Sequence, residues 1–345
     1  MKKAVLITGG CGFIGSNFIH HMRTIRPELE LINLDKLSYS GNPDNLKALK
    51  DDPNYRFVHG DITDGHLVRS VFAENPIQTV VHFAAESHVD RSILEASAFV
   101  QTNIVGTQVL LDSARQYWID TLSRDPFFRF VHISTDEIYG TLGEDGLFSE
   151  ESPFRPNSPY AATKAAADHL VRAYFETYGL PTVIARPSNN YGPYQFPEKF
   201  IPLMITNLIE DQPVPVYGEG LNVRDWIFVL DACRAVDLIL HQGKPGEAYN
   251  VGGETEKRNI DVAREVLAMF GKDESYLTFV TDRPGHDLRY ALNNQKIKDE
   301  LGWKPTVAFQ EGIEETVAWY NANDWWWRPL KKRLTHESKG FWTES

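Results

Sequence analysis

Cysteine is scarce: Cys11 and Cys233 are the only two in 345 residues. Two thiols make no disulfide framework, and no Cys/His spacing reads as a zinc site. Positive charge is also in deficit. Thirty-five lysines and arginines against 47 acids leave a formal charge of -12. Such a surface gives no electrostatic footprint for nucleic acid and no attraction to an anionic membrane. An anionic ligand would have to be met by cations concentrated locally. No apolar run approaches membrane-spanning length. The opening "MKKAVLITGG" has too short an apolar run for a secretory segment and reads as a buried strand. These deficits lead to the expectation of a reduced, cytosolic setting, with neither nucleic acid nor membrane as partner.

What is present is ordinary for a globular chain: 42% apolar and 24% charged residues. The length suits a large domain plus a smaller lobe. In the first half, apolar runs rich in β-branched residues alternate with helical patterns. The runs are "AVLIT", "LELINLD", "RFVHG", "TVVHFAA", "RFVHIST" and "PTVIARP". Continuous apolar strands are buried on both faces, so the sheet is parallel and covered by helices. The expected fold is α/β, a doubly wound Rossmann parallel sheet with a smaller C-terminal substrate-binding lobe. Prolines cluster after Asn189 and the alternation weakens. The expected division is 1–188 plus 224–252 for the dinucleotide domain and 189–223 plus 253–330 for the lobe. Residues 331–345 are expected to form a solvated tail, with the tryptophans before it packing the last helix onto the lobe.

The first strand runs into "TGGCGFIG", where Gly9, Gly12 and Gly15 open onto a helical pattern. Glycines there allow a tight turn and close approach of a pyrophosphate to free helix N–H groups. Asp35 follows Gly15 by 20 residues at the end of the second strand. A carboxylate there accepts hydrogen bonds from a ribose 2′-hydroxyl and repels a 2′-phosphate, so the expected cofactor is NAD. Cys11, inside the turn, reads as a small packed side chain. After the fourth strand, "FAAESHVDRS" brings Phe83 and the small Ala84 and Ala85 to the sheet's C-terminal edge, with Ser87 and His88 facing outward.

"SPYAATKAAAD" places Tyr160 and Lys164 at i, i+4 on one helix face. A lysine ammonium, together with the positive nicotinamide of the expected cofactor, favours tyrosinate, which can take a proton from a substrate hydroxyl. Thr135, at the end of the fifth strand, can hydrogen-bond the same hydroxyl. Behind it, "STDEIYG" sets Asp136 and Glu137 side by side where a core strand surfaces.

Together "TGGCGFIG", "STDEIYG" and "SPYAATK" resemble the extended short-chain dehydrogenase/reductase superfamily, and within it the nucleotide-sugar 4,6-dehydratases. The likeness runs from residue 1 to about 330 and includes "AAESHVDRS", "SNNYGPYQFPEKFIPL", "NVRDWIFV", "VTDRPGHDLRYA" and "LGWKP". It implies an NAD-dependent hydro-lyase working as a homodimer. The implied substrate is dTDP-glucose, with UDP-glucose left open and a 4-epimerase as the lesser alternative. Rhamnose and antibiotic deoxysugar routes share this step, and the sequence leaves both open. The resemblance assigns Glu137 as the base for the C5 proton and Asp136 as the acid for the C6 hydroxyl. It places Phe13, Ile14, Asp35, Lys36, Leu37, Ser38, Asp61, Ile62, Thr102 and Asn190 at the cofactor, with Asp61 meeting the adenine. It places Asn189, Lys199, Phe200, Pro215, Val216, Tyr217, Arg224, Asn259, His286, Asp287, Leu288, Arg289 and Tyr290 at the nucleotide sugar, alongside Ser87 and Thr135.

Overall fold

The computed structural model describes residues 3–337. Its strands are β1 Ala4–Thr8, β2 Glu30–Asp35, β3 Tyr55–His59, β4 Ile77–His82, β5 Arg129–Ile133, β6 Thr182–Pro187, β7 Asn189–Tyr191, β8 Val214–Tyr217, β9 Val223–Phe228, β10 Ala248–Val251, β11 Glu256–Arg258 and β12 Leu277–Val280. Its α-helices are α1 Phe13–Ile25, α2 Gly65–Glu74, α3 Val89–Leu94, α4 Ser97–Phe99, α5 Thr107–Asp120, α6 Pro159–Tyr178, α7 Phe200–Ile209, α8 Val229–Gln242, α9 Asn259–Met269, α10 Gln295–Leu301, α11 Phe309–Ala322 and α12 Asp324–Glu337.

Seven strands form one sheet in the order β10-β6-β5-β4-β1-β2-β3, and every neighbouring pair is parallel. α1, α8 and α10 share one core on one face, and α2, α5 and α6 share another on the opposite face. β1, β2, β4 and β6 are buried almost throughout, as continuous apolar runs require. β3 departs from this expectation. It is one of the sheet's two edge strands, and Arg56, Phe57 and His59 are exposed. The strand order reverses between β1 and β4, which opens a crevice above their C-terminal ends.

α6, which carries Tyr160 and Lys164, has definite ends. Ser158 accepts a hydrogen bond from the Ala161 N–H at 3.1 Å, and Pro159 occupies the first turn. Gly179 closes the helix at φ +71°, the left-handed conformation that favours glycine.

The second lobe is built around a three-stranded sheet, β11-β9-β7, and a parallel pair, β12-β8. β9 therefore pairs away from the main sheet, and within 224–252 it is α8 and β10 that pack on that sheet. Ile297, Leu301 and Trp303 also join the α1/α8 core, although their sequence neighbours belong to the lobe. The expected solvated tail differs most. Residues 331–337 continue α12, and Leu330 and Leu334 are buried with Trp326 and Trp327 in the lobe core. A spacing of four puts both leucines on the helix's inner face. Residues 338–345 lie outside the described residues.

One buried carboxylate joins α8 to the lobe. Asp231 is fully buried and accepts hydrogen bonds from the Thr306 and Val307 amides at 3.1 and 2.9 Å. It also accepts from the Thr306 hydroxyl at 2.9 Å and pairs with Arg234. Asp231→Ala leaves these donors unpaired and is expected to cost about 3 kcal/mol of folding free energy. Urea denaturation checks this; an unchanged midpoint contradicts it.

Candidate active site

The glycine turn is built for close backbone approach. Gly9 sits at φ +73°, and a Cβ there would lie 2.5 Å from the Ala84 backbone nitrogen. A Cβ on Gly15 would fall 2.4 Å from the Gly9 carbonyl oxygen. Gly12 differs: a Cβ there would meet only that carbonyl, at 3.3 Å, so its other side opens onto the crevice. No side chain caps α1, which starts there, so its first amides are available to an anion.

Asp35 accepts from the Cys11 amide through Oδ2 at 2.8 Å and from the Leu37 amide through Oδ1 at 2.7 Å. Each oxygen keeps a lone pair for a hydroxyl donor. Burial raises the Asp35 carboxyl against these two bonds. Lys36 pairs with Asp61 at 2.7 Å. Burial opposes ionisation of Asp61, yet bonds from Lys36 and Thr63 hold it below the usual carboxylate range.

A cleft runs over these groups. Gly9, Gly12, Phe13, Ile14, Gly15, Asp35, Lys36, Ser38, Asp61, Ile62, Phe83, Ala84, Ala85, Ser87 and Thr102 line it, with Tyr160 and Lys164 at its inner end. The open glycine, the uncapped helix start and the ribose-side carboxylate together fit a dinucleotide.

The "TDE" stretch is one turn of 3-10 helix capping β5. Thr135 Oγ1 accepts from the Glu137 amide at 3.3 Å and donates to Asp136 Oδ1 at 3.2 Å. Asp136 is 1% exposed, and its Oδ2 has no hydrogen-bond partner among the described residues. Burial, then the charges of Glu137 and Asp225, push the Asp136 carboxyl well up. Glu137 is also raised by burial, but Arg283, Arg224 and Lys199 pull it back. The environment thus divides the pair. At Asp136 two like charges stand against Arg224, whereas at Glu137 three cations stand against Asp287.

Tyr160 is raised by burial and by Glu137, with a hydrogen bond from Thr135 acting the other way. Burial brings Lys164 down to about 8, and its Nζ donates to the Ile133 carbonyl at 2.6 Å. Tyrosinate is favoured by positive charge brought into the cleft beside Lys164.

A second cavity opens towards the lobe and shares Ser87, Gln195 and Lys199 with the first. Glu137 looks into it, with Asn189, Lys199, Phe200, Pro215, Tyr217, Arg224, Asn259 and His286. Its cations supply the local positive charge that the acidic surface lacks. Lys199 is fixed on the Ser87 carbonyl at 3.0 Å. Arg224 is fixed on the Asp287 carbonyl at 3.0 Å and lies 4.3 Å from the Tyr290 ring centroid. His286 is held neutral by burial, its pKa near 4. His88 is brought to about 2, chiefly by burial; it caps α3 by accepting from the Arg91 amide at 3.3 Å.

Several expected residues stand elsewhere. Asn190 lines the second cavity beside Asn189, away from the dinucleotide cleft. Leu37, at φ +56°, packs into the α1 core. Val216 faces the lobe core because side chains alternate along β8, which leaves Pro215 and Tyr217 to the cavity. Leu288 is 51% exposed, and Arg289 turns to Glu256 at 2.6 Å. Asp287 and Tyr290 stand behind Arg224. Thr135 and Asp136 are buried beneath the cavity walls. Sequence reading missed Arg283, Trp226, Glu198, Tyr39, Glu86 and Phe196, which also line the two cavities. All but Tyr39 fall within strings already singled out: Glu86 in "AAESHVDRS", Phe196 and Glu198 in "SNNYGPYQFPEKFIPL", Trp226 in "NVRDWIFV" and Arg283 in "VTDRPGHDLRYA".

Comparison with known proteins matches this arrangement. The family model for GDP-mannose 4,6 dehydratase covers residues 6–316. A dTDP-glucose 4,6-dehydratase of Xanthomonas campestris pv. campestris (strain B100) is 51% identical over 93% of this chain and 94% of its own length. A dTDP-glucose 4,6-dehydratase of Streptomyces venezuelae, solved with NAD and TDP bound, superposes with a TM-score of 0.90 at 47% identity. The match covers 95% of this chain and 99% of that one. The Bacillus anthracis enzyme of the same name, in complex with NAD, gives a TM-score of 0.88 at 47% identity, over 95% of this chain and 99% of that one. The chain belongs to the GDP-mannose 4,6 dehydratase family, on the branch occupied by the dTDP-glucose 4,6-dehydratases.

Proposed function

We propose that the protein converts dTDP-glucose to dTDP-4-keto-6-deoxyglucose and water. The observation that carries this reading is the adjacent Asp136–Glu137 pair, with Glu137 lining the second cavity and Asp136 buried beneath its wall. NAD, which the glycine turn and Asp35 would hold, would supply the acceptor for the C4 hydrogen, the donor that returns it to C6 and a positive charge in the cleft. Tyr160 takes the C4 hydroxyl proton while Thr135 holds the hydroxyl oxygen. Lys164, anchored on Ile133, supports the phenolate. The C4 ketone acidifies C5–H. Glu137 takes that proton, Asp136 gives one to the C6 hydroxyl, and water leaves across C5–C6. Glu137 then returns its proton to C5. The division of the pair suits these roles, since a carboxyl among like charges keeps its proton and one facing cations can be freed of it. Lys199, Arg224 and Arg283 take the diphosphate. That group is common to dTDP- and UDP-glucose, so UDP-glucose is the competing substrate. A 4-epimerase would leave the acid pair without a task. The setting is a reduced cytosolic compartment, in keeping with two buried free cysteines.

The reading also includes a homodimer through the segment 92–118 and α6. Leu94, 69% exposed, and Val100, 39% exposed, are apolar positions on that surface without full cover. Sedimentation at micromolar concentration is expected to give twice the chain mass; a monomer mass contradicts it.

Glu137→Gln keeps size and removes the base. Oxidation at C4 is expected to survive, while water loss slows by about a hundredfold to ten-thousandfold. Asp136→Asn is expected to block elimination but leave C5 proton exchange, because Glu137 is intact. Tyr160→Phe is expected to abolish the first step, so no reduced cofactor forms. Single-turnover absorbance, C5 deuterium uptake and product mass, each with dTDP- and UDP-glucose, separate these outcomes. Water loss at the unmodified rate in Glu137→Gln overturns the dehydratase reading.

A further inference from the structure

The outer wall of the dinucleotide cleft is the segment between β2 and β3. Lys36, Ser38, Tyr39, Ser40 and Gly41 line the cleft from it. This wall begins at a strained residue, since Leu37 has φ +56°, and the Lys36 carbonyl beside it meets the His59 ring of the edge strand β3 at 3.2 Å. Its fastenings come from two directions. The Asn42 amide and the Asn45 side-chain amide both donate to the Cys11 carbonyl of the glycine turn, each at 2.9 Å. The oxygen of the same side-chain amide, Asn45 Oδ1, accepts from the indole N–H of Trp326 at 2.7 Å. Asn45 is 2% exposed, so water cannot readily replace either bond.

Trp326 belongs to α12, the C-terminal helix of the other lobe. Two more contacts run the same way. Arg333 donates to the Tyr39 carbonyl at 2.8 Å, and the Lys47 ammonium lies 5.5 Å from the Trp325 ring centroid. α12 is itself firmly seated. Trp327 is fully buried and donates to the Tyr320 carbonyl at 2.9 Å, and Lys331 pairs with Glu210 at 2.8 Å. We propose that α12 is a strap that fixes the wall of the NAD cleft from the substrate lobe, with Trp326 as its positioning residue through Asn45 to the glycine turn. This rests on the proposed redox-neutral cycle, in which the same NAD serves every turnover and slow release is useful.

Trp326→Phe keeps the ring and removes the N–H donor, which leaves Asn45 Oδ1 unpaired. Release of NAD from the loaded protein is expected to quicken about tenfold. In the NAD-free protein, hydrogen exchange is expected to rise at residues 36–49 and 9–12, with the main-sheet amides unchanged. Affinity for thymidine diphosphate, which probes the second cavity, is expected to hold. Arg333→Gln removes an exposed contact that folding does not need. It is expected to quicken release about threefold and decides the matter if Trp326→Phe fails to fold. Unchanged release in the folded variants, or an equal loss of thymidine diphosphate affinity, overturns the strap. Absence of the keto product in every form, with release still quickened, would instead overturn the dehydratase reading and leave the strap standing.

Discussion

Two neighbouring carboxylates, withdrawn from water at the end of a core strand, set the terms for the rest of this molecule. Such a pair costs free energy in any fold, because each charge loses its hydration and opposes the other. The chain meets this cost unequally. Asp136 lies deep, its carboxyl bonded among the described residues to Thr135 alone and repelled by Glu137 and Asp225. Glu137 points to where Arg224, Arg283 and Lys199 converge. In the proposed reading that inequality separates an acid from a base without any difference in the side chains' own chemistry. The same cations serve the substrate's diphosphate, so binding the ligand and dividing the pair are one electrostatic arrangement.

The scaffold brings the parts within reach of one another. The reversal of strand order between β1 and β4 opens the crevice, and α6 presents Tyr160 and Lys164 along its inner end. The second lobe then closes the far side, and Ser87, Gln195 and Lys199 belong to both cavities. A reactant held by the lobe is thereby presented to the dinucleotide side. α12 extends this logic, because the helix that completes the lobe core also bears on the cofactor's wall.

Local patterns were legible in the sequence. The glycine turn, Asp35, the Tyr160/Lys164 spacing and the parallel sheet each follow from a short string whose meaning depends on neighbours along the chain. Features set by distant contacts were not. Trp326 meets Asn45 across 281 positions, and no local pattern predicts that. Arg56, Phe57 and His59 are exposed on β3, one edge of the sheet, and only the assembled sheet decides which strands lie at its edges. Val216 was assigned with its neighbours, whereas strand alternation turns it inward. Leu288 and Arg289 fell within a string that resemblance assigns as a block, yet only parts of the block face the cavity. The basic run after Trp327 reads as solvated by composition. Its leucines, four apart, carry it into the lobe core instead.

The account depends on Asp136 holding a proton at neutral pH while Glu137 can release one. Infrared difference spectroscopy between the unmodified protein and Asp136→Asn reads this directly, through the carbonyl band of a protonated carboxylic acid. The band is predicted at neutral pH in the unmodified protein, absent in Asp136→Asn and retained in Glu137→Gln. A spectrum with only ionised carboxylate at position 136 would contradict the division of the pair.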